Sequence, residues 1–103
     1  MRKYLAELYL ARRDGLDVDA IAARVRTAAE ELSTEGTHIA LLQSIYVPDD
    51  ETWFCLFEVE RAAAVDKATR RAGLSCERIA PAECLPDAAP VTGGGRDEGR
   101  NEE

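Results

Sequence analysis

The sequence predicts a ferredoxin-like α+β sandwich, and three observations carry that expectation. The run 39–60 reads as two apolar strands, IALLQSIYV and WFCLFEVE, joined by the polar turn PDDE. An amphipathic helical stretch flanks this hairpin on each side, and a strand-like run lies beyond each helix. The order is strand, helix, strand, strand, helix, strand. Such a βαββαβ chain closes into a four-stranded antiparallel sheet with two helices on one face. The sheet order in that topology is four, one, three, two.

Each element has a local reason. In the first strand, 3–10, Tyr4, Ala6, Leu8 and Leu10 alternate with Leu5, Glu7 and Tyr9, the period of an extended chain. Residues 12–15 form a polar break. Asp17 is a candidate N-cap, because its carboxylate can accept from free amides of a first helical turn. The helix runs to about residue 34, with Val18, Ile21, Ala22, Val25, Ala29 and Leu32 at helical spacing. Gly36 can adopt the left-handed conformation that ends it. Val, Ile, Tyr, Trp and Phe enrichment favours strands across the hairpin. Pro48, which lacks an amide hydrogen, belongs at a strand end or turn. The second helix, 61–72, turns Val65, Ala68 and Ala72 inward and stops at Gly73. Pro81 lies in the last strand, 75–85, and cannot donate to a central ladder, so that strand is expected at an edge. Strand four is an edge in the expected order, so local and global signals agree.

Composition narrows the class. The 103 residues are 46% hydrophobic and 32% charged, as in a globular protein. One domain is expected over residues 1–86. Residues 87–103 hold four of the seven glycines and almost no large apolar side chain, and a disordered acidic Gly-rich tail is expected there. The net charge of -7 disfavours nucleic acid, whose binding leans on clustered Lys and Arg. The third strand also lacks the glycines and basic residue of an RNA-recognition motif. No apolar run approaches the roughly 20 residues that span a membrane. The N-terminus imitates a signal peptide only briefly, because Glu7 interrupts it and Arg12, Arg13 and Asp14 follow. Cys55, Cys76 and Cys84 are odd in number and show no metal spacing, which suits buried thiols in a reducing, cytoplasmic setting.

Two helices cover one sheet face, so the other face carries the functional question. Strand parity places Leu5, Glu7 and Tyr9 outward on strand one, and Phe54, Leu56 and Glu58 outward on strand three. Trp53, Cys55, Phe57 and Val59 then point to the helices. On strand two, Leu41, Gln43 and Ile45 are expected outward. The result is a broad apolar face, which a second copy is expected to cover as a dimeric α+β barrel. Glu7, Gln43 and Glu58 become candidate ligand-binding residues, polar groups in an otherwise apolar interior. The simpler alternative puts them at the rim, solvated or paired with arginine.

Other chemistry is sparse. His38 is the single histidine and, with Glu7, a candidate metal ligand. The turn acids Asp49, Asp50 and Glu51 lack calcium-loop spacing and are read as guards of the hairpin end. Cys55 between Phe54 and Leu56 reads as core rather than as a nucleophile. The triple glycine at 93–95 precedes no helix and is no phosphate loop.

Three blocks carry a family resemblance: KYLAELYL at the start, SIYVPDDETWFCLFEVE in the hairpin, and AVDKATRRAGLSCERIAPAE at the end. Over about residues 2–85 the chain resembles a small bacterial family, best represented in actinobacteria and catalogued as domain of unknown function 4242. The resemblance implies a ferredoxin-like fold, association through the sheet, and nickel as the bound metal, because the family includes a nickel-binding, nickel-responsive protein. Members often carry histidine where Gln43 stands here, and an amide suits nickel less well than an imidazole does. Glu7 and Cys55 fall on the family's acidic position and its F-C pair. The expected function is a small ligand-binding homodimer. Two alternatives stay open. One is a cofactor-free oxygenase or isomerase with Glu7 or Glu58 as acid-base group. The other is a non-catalytic dimerisation module.

Overall fold

A computed structural model describes residues 1–85; the tail expected over 87–103 lies outside them. The elements are β1 (Arg2–Tyr9), α1 (Val18–Thr34), β2 (Ile39–Val47), β3 (Thr52–Val59), α2 (Ala62–Arg71) and β4 (Cys76–Ala82). A short 3-10 turn, Pro48–Asp50, joins β2 to β3. The sheet order is β2-β3-β1-β4, with every neighbouring pair antiparallel. This is the expected ferredoxin-like α+β fold.

Local chemistry sets the element ends. Asp17 Oδ1 accepts from the Ala20 amide at 3.0 Å and caps α1. At the other end Gly36 takes φ +102, and the Thr37 amide returns to the Leu32 carbonyl at 2.9 Å. That six-to-one bond satisfies a carbonyl the helix itself leaves free. Gly73 repeats the device after α2, with Leu74 N–H donating to the Thr69 carbonyl at 2.9 Å. Pro81 sits on edge strand β4 opposite Tyr4, where its missing donor removes no central bond.

The core lies between the helices and one sheet face. Leu8, Val25, Leu32, Trp53, Phe57, Val59 and Val65 are fully buried. Ala6 and Leu8 on β1, with Trp53, Cys55, Phe57 and Val59 on β3, point to the helices as their alternation predicts. Thr69 is the buried polar residue that the pattern did not reveal. Its hydroxyl is satisfied by the Val65 carbonyl at 3.1 Å and lies 3.2 Å from Cys76 Sγ.

Strand β2 corrects one expectation. Leu41 pairs with Phe57 and packs against the core instead of facing outward. The register shifts between Leu41 and Gln43, so Leu42 is an extra residue against β3. A bulge of this kind reverses parity beyond it. Gln43 and Ile45 lie outward, opposite Leu56 and Phe54, as expected. A second irregularity moves β4 against β1, where Glu7 faces Arg78 but Leu8 faces Cys76.

Candidate functional site: the open sheet face

The sheet face away from the helices is built in rows by the cross-strand register. Glu7 on β1 lies between Phe54 on β3 and Arg78 on β4. Leu5 lies between Leu56 and Ala80, and Lys3 between Glu58 and Ala82. Gln43 and Ile45 extend the rows onto β2. Leu5, Phe54 and Leu56 remain half-buried, while Tyr9 is 58% and Ile45 55% exposed. The centre of this face is therefore apolar, and its charges are few.

Each candidate polar residue has a definite place. Glu7 Oε2 lies 3.5 Å from Arg78 Nη1, a partner that sequence alone did not indicate. The pair is partly shielded, with the Glu7 side chain 31% exposed. Glu58 Oε1 lies 3.8 Å from Nε2 of His38, which stands just before β2. Gln43 is exposed, and it pairs with Leu56 in the β2–β3 ladder. The structure brings His38 to Glu58, but not to Glu7. The strand register separates those two by about 20 Å, at roughly 3.3 Å per residue. Glu7 and Glu58 are likewise about 13 Å apart along the strands.

His38 also borders an open cleft of about 410 Å³, beside Thr37, Arg61 and Lys67. Those two cations make the cleft side less hospitable to a metal ion than the carboxylate side. Among the described residues, no group of three or more His, Cys, Asp or Glu side chains could hold a metal ion. The described residues of one chain thus offer neighbouring imidazole and carboxylate donors, with no third beside them.

The remaining candidates are structural. Glu51 adopts φ +50 at the hairpin turn. Its carboxylate accepts from the Arg12 amide at 2.7 Å and from the Tyr9 hydroxyl at 3.4 Å. Asp49 pairs with the Arg12 guanidinium at 3.3 Å. The acidic turn therefore clamps the β1–α1 connection, a role that needed the tertiary structure to see. The nearby carboxylate of Glu51 raises the Tyr9 pKa. Burial pushes the Cys55 thiol up to about 12, so it stays protonated and unreactive. Cys76 is also raised, first by burial, with the Thr69 hydroxyl acting in the opposite direction. All three cysteines are free.

No described helix is long and apolar enough to cross a membrane. Comparison with curated proteins gives no match. Among solved structures, the chain is similar to the crystal structure of SCO4226 from Streptomyces coelicolor A3(2). The TM-score is 0.55 at 21% identity, over 84% of this chain and 99% of that one. At that identity the likeness concerns the fold. The family model described as nickel responsive protein SCO4226-like matches residues 7–81, which span β1 to β4. The chain belongs to the SCO4226-like family.

Proposed function

We propose that this protein binds nickel in a shallow, exchangeable site whose protein donors are His38 and Glu58. The observation that carries the reading is the 3.8 Å approach of His38 Nε2 to Glu58 Oε1. Donors that close are within reach of one ion, since imidazole and carboxylate bonds to a comparable divalent metal, zinc, are about 2.0–2.2 Å each. Imidazole is a good donor for nickel, and a carboxylate adds compensating charge. The family's description as nickel responsive supports the choice of metal.

Two donors leave most of the coordination to water or to a second molecule. The affinity expected is that of an accessible exchange site, not of a closed structural centre. The imidazole binds a metal ion through the lone pair of a ring nitrogen. Glu7 is engaged by Arg78 and stands outside this site.

The single histidine makes the test direct. Paramagnetic nickel bound at His38 should broaden the ring proton resonances of the untagged protein in NMR spectra, and magnesium should leave them sharp. Glu58→Gln should raise the nickel concentration required about tenfold or more, by loss of one donor. Sharp His38 resonances in millimolar nickel would reject the site.

A further inference from the structure

We propose that the cleft beside His38 receives a small multidentate carboxylate, so that nickel is taken up as an anionic carboxylate complex and not as the hydrated ion. The inference rests on the nickel reading above and names the second molecule that completes the metal's coordination. The observation that carries it is the pair of cations, Arg61 and Lys67, on the cleft side of His38.

The cleft lies where two chain reversals meet. The end of α1 turns through Gly36 and Thr37 into β2, and β3 leaves the sheet through Glu60 and Arg61 into α2. Ala63 and Lys67 are four residues apart, so they share one face of α2, and the alanine methyl takes little of the space. Buried Val59 and Ala64 give the cleft an apolar floor. Its volume of about 410 Å³ falls among pockets that hold small organic ligands. His38 joins the two halves of the site. Its Nε2 lies 3.8 Å from Glu58 Oε1 on the sheet side, and the residue lines the cleft on the other.

Charge then selects the ligand. Arg61 and Lys67 form no salt bridge among the described residues. Glu35 has a lowered pKa, first through its hydrogen bond from Arg71 and to a lesser degree through Lys67, so its charge is already matched. Glu60 also borders the cleft. Glu58 and Glu60 cancel Arg61 and Lys67, and a bound nickel ion leaves a charge of +2 for the ligand to meet. A hydrated nickel ion is repelled by the two cations, whereas a complex with negative carboxylates is attracted to them. A multidentate carboxylate places some oxygens on the metal and offers the others to the guanidinium and ammonium groups. Its carbon skeleton covers the apolar floor, which a bare inorganic anion would leave wet.

Citrate serves as the probe, and the His38 ring proton resonances of the full chain are the readout. Equimolar nickel citrate should broaden them at a nickel concentration about tenfold lower than nickel alone requires, an ordinary coupling between two ligands. Magnesium citrate should leave them sharp. Arg61→Gln and Lys67→Gln, combined in one chain, should raise the nickel citrate concentration required about tenfold or more. Nickel alone should need no higher concentration in that variant, because the charges removed repel the bare ion. Both cations are exposed, and unchanged far-ultraviolet circular dichroism would show that the fold is kept. A loss confined to the complex is one that general weakening of the fold would not produce. Native resonances that sharpen when citrate is added to nickel would overturn the proposal, since citrate would then only withdraw the metal. So would a variant that takes nickel citrate as well as the native chain does. Either result leaves nickel at His38 standing. Native resonances that stay sharp with both forms of nickel would instead remove the metal reading, and this inference with it.

Discussion

Glu7 and Glu58 look alike in the sequence, as acidic residues within apolar strands, yet the fold gives them different neighbours. Arg78 reaches Glu7 from β4, and His38 reaches Glu58 from the turn before β2. Both partners are set by strand register, a long-range property that no local pattern encodes. The outward direction of both acids was legible, because Ala6, Leu8, Cys55 and Phe57 alternate with them and demand burial. Cys55 was legible for the same reason, and it leads to a prediction. Its thiol is neutral up to about pH 12 in the folded chain, against an ordinary value of 9.0. The unfolded chain therefore loses this proton first, and the folded state is destabilised as pH rises from about 9 towards 12. Denaturant titrations should show this alkaline limb, with up to about 1.4 kcal/mol per pH unit absent in Cys55→Ala. A brief iodoacetamide pulse at pH 8 should modify exposed Cys84 and spare Cys55, as read by peptide mass spectrometry. Fast labelling of Cys55 would contradict its assigned environment.

At the scale of elements, the helices were the most legible parts of the chain. Asp17 before a helical stripe and glycine after it are signals of short range, and both act as their chemistry requires. Removing the cap in Asp17→Ala should cost about 1 kcal/mol, measured as a lower urea midpoint with an unchanged m-value. A midpoint equal to the native one would show that another group caps α1. Strand β2 was the least legible. Apolar residues occupy both of its faces, so alternation does not fix the parity, and the bulge at Leu42 carries no residue signature of its own. The hairpin turn falls between these cases. Pro48 and the acids announced a turn, but nothing in them announced that Glu51 would accept the Arg12 amide. That bond joins segments 39 residues apart.

At the scale of the whole molecule, topology was legible because independent signals converge. The element order calls for β4 at an edge, Pro81 requires an edge, and the sheet order β2-β3-β1-β4 supplies one. The same topology leaves one apolar sheet face uncovered and concentrates His38 and Glu58 at one end of it. The family's description as nickel responsive is the ground on which nickel is proposed as the ligand. The central claim is that nickel binds at His38 and Glu58. Native mass spectrometry of the untagged protein, with and without added nickel, tests it most directly when His38→Ala is run beside the native sequence. The account predicts one nickel per chain in the native protein and none in the variant at equal metal concentration. A native protein with no adduct, or a variant that retains the full adduct, would contradict it.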